Sequence, residues 1–524
     1  MSAAKLNQLT RCATELCSGR RGRAVVGLFV LAVFLGYAWL VWNKMGAYAG
    51  GSDSSGYANN AKLMLAGKLL AEQRPLEGVA VPLPEFAYVP LGFRPRADGL
   101  MTPTYPLGLS ALFAFASVGG SLDRGMAVAM WSMLLGSLAI AYLLARQLGL
   151  ERGWALAAVA VLAACPLVLH MGLQAMSDVP AMLWTTLAIV LVWASRERRW
   201  LAGLAGGVVA VAVFIRPSNA LVLLPAGIVL GLDWRRWLLF GLGGLPGALL
   251  WLHTNQVLFG RYVTTGYGEV DSLFGWANVV PALANYAWGL PQLIPLAPFA
   301  VVALLVGRRS GMPRLLALSL AAWVAAVLGF YVFYWFTTES WWYLRFLLPA
   351  FPALVVLSIA GLRWTAGSLR GAASRGSARP LAAGVLVGVA LTVALGVQAG
   401  MVRRHGILKV GEGERIYPAI CAWTAAHLPA DAVVLAMQAT GALHYTDQFT
   451  LVRWDCLDPQ LSRAVYAAAQ RAGRPVYAVF FPFEIEEWGC FRGRLAGRWT
   501  QVGAVRHATI WRLDDPDGTM EPPR

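Results

Sequence analysis

The sequence predicts an α-helical polytopic membrane protein of about eleven transmembrane helices with a small α/β domain at its C-terminal end. Three observations predict it. The 524 residues are 58% hydrophobic and only 13% charged, too apolar for a soluble chain of this size. Apolar runs of about twenty residues, long enough to cross the hydrocarbon core as helices, recur along most of the chain. The arginines cluster between those runs, as the positive-inside bias requires. That distribution assigns the net charge of +16 to topology and not to nucleic acid, for which no basic, aromatic-interleaved surface is present.

Lys5, Arg11, Arg20, Arg21 and Arg23 precede the first run, 24–42, so the N-terminal segment 1–23 is expected in the cytoplasm. The run has no small-residue cleavage site and reads as a retained signal anchor. A long outer loop, 43–125, follows. It holds a surface helix expected over 57 to about 72, a stretch punctuated by Pro82, Pro84, Pro90 and Pro95, and a short apolar run, 107–118. That run is short for a span and is taken as interfacial or re-entrant. Without a crossing there, Arg124 stays outside and the later arginine clusters land inside. Spans are then expected at 126–145, 153–171, 180–194, 201–215, 219–232, 238–259, 289–306, 315–336, 343–363 and 380–401.

Eleven spans with the anchor carry the C-terminus to the outer side. The transmembrane domain is thus 24–401 and the outer α/β domain 402–513. In the latter, strand-like runs lie at 432–436, 449–454, 476–481, 499–502 and 508–513, with helical patterns at 415–427 and 459–472. Residues 514–524 read as a disordered tail. The six cysteines show no metal-ligand spacing. Outside the cytoplasm, a Cys456–Cys490 disulfide and three free thiols, Cys421 included, are equally open.

With this topology Asp53, Arg124, Asp178, Arg216, Glu269, Asp271, Glu339 and Arg345 all fall at or just below the outer surface. An ionisable group at membrane depth is costly unless paired or wetted, which makes each a functional candidate. Asp53, in Ser52-Asp53-Ser54, is read equally as a catalytic base and as the cap of the helix that follows. Asp178, in Ser177-Asp178-Val179-Pro180, reads first as a helix cap. Snorkelling to headgroups is the simplest account of any single outer arginine. Their repeated appearance against the topological bias points to a phosphate ligand, whose oxygens match guanidinium donors in pairs. The glycine-rich run 241–247 lacks a phosphate-loop lysine and reads as helix packing, and there is no HExxH or nucleophile elbow.

The series Asp53-x-x-x-Tyr57, Pro103-Thr104-Tyr105-Pro106-Leu107, Arg124, Met176-Ser177-Asp178-Val179-Pro180, Arg216-Pro217 and Tyr343-Leu344-Arg345-Phe346-Leu347-Leu348-Pro349 resembles the membrane-embedded C-type glycosyltransferases that use polyprenyl-phosphate sugars. Protein O-mannosyltransferases, the aminoarabinose transferase of lipid A and lipopolysaccharide-core galacturonosyltransferases belong to that group. The resemblance implies an inverting transfer on the outer face of a bacterial inner membrane, from a polyprenyl-phosphate sugar to a hydroxyl of a glycan, lipid or protein. It implies Asp53 as base, and Arg124, Arg216, Arg345 and Lys62 around the donor phosphate. Tyr57, Tyr105, Asp178 and Glu269 would meet sugar or acceptor. No nucleotide cofactor is expected, and a divalent ion beside Asp53 and Asp178 stays open. Here Asp53 is followed by Ser54-Ser55-Gly56, where the family often has a second acidic residue or an arginine, which leaves the sugar open.

Three other readings compete, one of them a structural partner in an envelope assembly recruited through the C-terminal domain. A polymerase or ligase with a lipid-diphosphate donor would use the same outer arginines. A flippase would explain the spans, but it predicts midplane charges and a repeat between halves, and neither is found.

Overall fold

The computed structural model describes residues 20–268, 270–306, 311–371 and 379–518. Cys12, Cys17, Glu269 and the last six residues of the expected tail lie outside them. Helix α1 (Arg20–Lys44) leads into α2 (Asp53–Leu65). A small antiparallel sheet follows in the order β1-β3-β2, from Ala71–Glu72, Phe93–Pro95 and Leu100–Pro103. The sheet was not legible in the sequence, because Pro95 and Pro103 sit at strand ends where no ladder donor is needed.

The helical bundle comprises α3 (Leu107–Ala116), α4 (Leu122–Gln147), α5 (Arg152–Ala163), α6 (Pro166–Gly172), α7 (Asp178–Ala194), α8 (Leu201–Ile215), α9 (Leu223–Leu230) and α10 (Trp234–Phe259). It continues through α11 (Val279–Leu293), α12 (Pro298–Leu305), α13 (Arg314–Tyr331), α14 (Phe351–Gly371) and α15 (Arg379–Arg404). Two 3-10 segments, Pro217–Val222 and Trp341–Ala350, run into α9 and α14.

Among the described residues six helices are long and apolar enough to cross a membrane, or eight if two bent pairs each count as one span. The bends are at 63° between α5 and α6 and at 92° between Trp276–Leu293 and α12. The expected continuous helices are therefore corrected over 153–171, where Pro166 opens α6, and over 289–306. Pro291, Pro295 and Pro298 fall inside the latter, and each removes a helical N–H and crowds the preceding turn. The remaining apolar helices, Leu107–Ala116, Asp178–Ala194, Leu201–Ile215 and Pro217–Leu230, are shorter than 18 residues.

The surface helix expected from residue 57 starts four residues earlier, at Asp53, and ends at Leu65. Beyond the bundle, α16 (Val410–Glu414) and α17 (Ile416–His427) lead into a five-stranded sheet of order β5-β4-β6-β8-β7. Its strands are β4 (Val433–Ala436), β5 (Thr450–Arg453), β6 (Val476–Phe480), β7 (Arg498–Val505) and β8 (Ala508–Asp515). β5, β4 and β6 are parallel, and β8 and β7 add antiparallel. Helices α18 (Thr440–Tyr445), α19 (Pro459–Arg471), α20 (Pro482–Glu486) and α21 (Cys490–Gly493) complete this unit. Each strand expected from the sequence is present, and Asp514 and Asp515 extend the last one instead of starting a tail. Cys421, Cys456 and Cys490 are free thiols, so the Cys456–Cys490 bridge is not formed.

Candidate active site

Asp53 is the first residue of α2, and Ser52 occupies the cap position without a side-chain cap bond. A carboxylate in the first helical turn is favoured by the unpaired N–H groups there, but this one has a distant partner as well. Arg345, in the 3-10 segment before α14, donates from Nη2 to Asp53 Oδ2 at 2.9 Å. The capping account of Asp53 is therefore insufficient.

Asp178 departs further from expectation. It is fully buried at the start of α7, where Ser177 makes no side-chain cap bond. Arg216, in the turn between α8 and the 3-10 segment, donates through Nη2 to Asp178 Oδ1 at 2.9 Å and to Ser177 Oγ at 2.8 Å. Arg345 Nη1 stands 3.9 Å from the other oxygen of Asp178. The four residues thus form a chain, Asp53–Arg345–Asp178–Arg216, drawn from segments up to 292 residues apart. Arg216 is 8% exposed, so neither guanidinium snorkels to a headgroup as a lone outer arginine would. Phe346 lies under both, its ring centroid 5.4 Å from Arg216 Cζ and 5.1 Å from Arg345 Cζ, within cation–π range.

Buried ion pairs persist when their hydrogen bonds are complete, and this network is incomplete. Arg216 Nη1 and Arg345 Nε are buried donors without a hydrogen-bond partner. Such donors cost free energy until something accepts from them.

Tyrosines wall the other side. Tyr105 exchanges a hydrogen bond of 2.7 Å with Ser52 and packs its ring 5.1 Å from Tyr57 and 6.0 Å from Tyr267. Burial alone would raise the Asp53 carboxyl, but the charge of Arg345, the hydrogen bonds of Tyr105 and Arg345 and the charge of Arg216 outweigh it and hold the group below the ordinary carboxylate range. Tyr105 is pushed the opposite way, first by burial and then by the negative charge of Asp53. Two carboxylates held by two guanidinium groups make a poor cation cage. Among the described residues no group of three or more His, Cys, Asp or Glu converges on a metal position.

The structure thus unites Asp53, Tyr57, Tyr105, Asp178, Arg216 and Arg345. Two expected phosphate ligands are elsewhere. Arg124 is exposed at the start of α4, its backbone N–H on Ser121 Oγ. Lys62, nine residues beyond Asp53 and so about 13 Å along the helix, donates to the Tyr445 carbonyl at 2.7 Å and pairs with Asp447. Asp271 is exposed in the 3-10 turn Val270–Leu273. Ser177, Tyr267 and Phe346 were not singled out as candidates. Only their adjacency to Asp178, Glu269 and Arg345 would have drawn attention to them.

Residues 111–304 match the family described as Dolichyl-phosphate-mannose-protein mannosyltransferase, a segment that includes Asp178 and Arg216 but not Asp53 or Arg345. A search of curated proteins finds no match. Among solved structures, the chain is similar to ArnT from Cupriavidus metallidurans bound to undecaprenyl phosphate, at 14% identity and a TM-score of 0.54 over 93% of this chain and 99% of that one. It is also similar to the oligosaccharyltransferase AglB from Archaeoglobus fulgidus in complex with an inhibitory peptide and a dolichol-phosphate. That likeness is 11% identity and a TM-score of 0.51 over 88% of this chain and 70% of that one. The arabinofuranosyltransferase AftD from Mycobacteria matches at 14% identity and a TM-score of 0.50, over 94% of this chain but 42% of the longer one.

Proposed function

We propose that this chain, which has the fold of the C-type membrane glycosyltransferases and carries a protein-mannosyltransferase family segment, transfers a sugar from a polyprenyl-phosphate donor to an acceptor hydroxyl with inversion. The observation that carries this reading is the pair of unpartnered guanidinium donors, Arg216 Nη1 and Arg345 Nε, buried beside a carboxylate that is itself 28% exposed. Phosphate oxygens would supply acceptors to such donors, and guanidinium presents donors in the planar fork that phosphate accepts. A solved neighbour that binds undecaprenyl phosphate and another that binds dolichol-phosphate support this donor class.

In the proposed step Asp53 takes the proton of the acceptor hydroxyl while its oxygen attacks the anomeric carbon. The bond to the lipid phosphate breaks, and its electron pair leaves with the phosphate. Arg345 and Arg216 meet the charge that grows on the leaving group, where fixed cations are most effective. Arg345 also links the two halves of the reaction. While it pairs with Asp53 it weakens the carboxylate as a base, and a phosphate that draws on Arg345 relaxes that constraint. Tyr57, Tyr105, Asp178 and Glu269 are retained in this reading as the residues that would meet sugar or acceptor.

We read the site as facing the side opposite the N-terminus, on a bacterial inner membrane. Eleven spans follow if three of the four shorter apolar helices cross as well as the eight longer candidates. Segment 24–401 then forms the membrane domain, and 402–513 an outer unit beside the site. The arginine clusters support this sidedness. The test is incubation of purified protein with a radiolabelled polyprenyl-phosphate sugar and, in parallel, its diphosphate counterpart. Transfer from the monophosphate that is lost in Asp53→Asn supports the proposal. Transfer from the diphosphate alone, or lipid translocation without transfer, rejects it.

A further inference from the structure

We infer that helix α18 of the C-terminal unit sets the position of the α2 helix, with Gly441 as the positioning residue on which the contact turns. The inference rests on Asp53 acting as the base, because α2 is the helix that carries it. Asp53 and Tyr57 lie four residues apart on the stripe of α2 that faces the site. Ser55 and Asn59 form a second stripe, also four apart, and α18 packs against it.

The contact is close and buried. Asn59 Nδ2 donates to the Gly441 carbonyl at 2.8 Å. Gly441 is helical, yet there is no space for a side chain. A methyl group there would overlap Ser55 Oγ and lie 2.5 Å from Ser55 Cβ and 3.1 Å from the Leu91 carbonyl. Thr440, the preceding residue, accepts the Leu91 N–H on Oγ1 at 3.1 Å. Leu91 leads into Gly92, whose φ of +93° lets the loop press its backbone against Gly56 of α2. α2 is thus enclosed by α18 and by a loop that α18 also holds.

The first outer loop joins the C-terminal core as well. Leu76 is buried in the cluster built on Val433, Leu435 and Val452, with Val79, Leu83 and Tyr88 packed around it. Lys62 and Arg74 both pair with Asp447, but those partners are 39–49% exposed, and pairs of that kind contribute little. The Asn59 hydrogen bond, the Lys62 hydrogen bond to the Tyr445 carbonyl at the end of α18 and the fit at Gly441 therefore carry the placement, and the fit at Gly441 is the part nearest Asp53.

Ser55 is two residues from Asp53 on one rigid helix. A push at Ser55 moves the Asp53 carboxylate relative to Arg345, which now sits 2.9 Å away. Misplacement by about 1 Å costs roughly a hundredfold in rate. The deciding variant is Gly441→Ala in the full-length protein, since alanine is the better helix former and would leave an uninvolved α18 unharmed.

In Gly441→Ala we expect kcat to fall by about ten- to a hundredfold with KM for the lipid donor nearly unchanged. Adding Ser55→Gly removes the overlapped atoms and should restore most of the loss, a coupling that general damage does not produce. Hydrogen exchange over residues 53–65 gives a readout without catalysis: protection drops in Gly441→Ala and returns in the double variant. Unchanged kcat and unchanged exchange in Gly441→Ala overturn the inference, and so does a loss that Ser55→Gly does not rescue. If wild-type protein transfers no sugar, the functional reading fails, and the exchange pattern alone decides whether α18 positions α2.

Discussion

Arg345 donates to Asp53 at 2.9 Å and stands 3.9 Å from Asp178, so one guanidinium joins two acidic groups contributed by different helices. It is the hub of the site. Removing its charge should be felt in the protonation of Asp53, in the binding of phosphate and in the stability of the bundle.

The first consequence is a pH effect. Asp53 is depressed by Arg345 against a burial effect of opposite sign, so it stays ionised below the ordinary carboxylate pKa of about 3.9. In Arg345→Gln the largest opposition to burial is removed and the carboxyl protonates at higher pH than in the wild type. The acid limb of kcat/KM should therefore move upward, in addition to a fall in kcat. A pH–rate profile of both proteins checks this, and an unmoved limb would separate Asp53 from the titrating base.

Asp53→Asn keeps the shape and a hydrogen-bond acceptor for Arg345 but cannot take a proton. A positioned base contributes about 10² to 10⁴ in rate. Loss of that order in kcat, with the thermal midpoint within a few degrees of wild type, is the expected result in a single-turnover assay.

The Asp178–Arg216 pair is buried on both sides. Breaking one partner leaves an uncompensated buried charge, at a cost of about 3–5 kcal/mol. Asp178→Asn should accordingly lower the thermal midpoint sharply. The double change Asp178→Leu with Arg216→Met should recover much of it while leaving no transfer activity, as differential scanning would show.

Arg216→Lys retains the charge but removes the planar fork and its second donor. Binding of undecaprenyl phosphate should weaken by about tenfold, the scale of one charge-assisted hydrogen bond. Arg124→Ala, at an exposed residue outside the network, should bind as wild type. Equilibrium binding to lipid in detergent micelles distinguishes the two.

Glu414 packs over Gly50, just ahead of α2, and burial pushes its carboxyl up to about 7. The folded chain therefore holds a proton that the unfolded chain releases near pH 4.3. Its contribution to stability is complete below that value and is lost as pH rises through about 7. Glu414→Gln should remove this slope and be more stable than wild type at pH 8. Thermal midpoints measured from pH 5 to 8 report it.

Much of the scaffold was legible. The strands of the C-terminal unit were visible as short β-rich runs between turn signals, and observed β4 to β8 fall within a few residues of them. The long helices followed from apolar length alone. What failed had local causes: three prolines bent the run over 289–306, and two prolines hid the small sheet beside α2. Among site residues, sequence and sidedness selected Asp53, Asp178, Arg216 and Arg345. The same reasoning also selected Arg124, and the family resemblance added Lys62, because sidedness and motif order sort charges by surface and not by position across that surface.

The sequence by itself determined the membrane character of the chain, the helical runs and the small α/β unit that follows them. It did so because apolar length and residue periodicity are local properties. Only the tertiary structure decided that Asp178 is an ion-pair partner and not a cap, that Arg345 reaches Asp53 across 292 residues, and that Gly441 abuts Ser55. Those relations depend on how distant helices pack, and no residue carries a mark of what it will touch once the chain has closed.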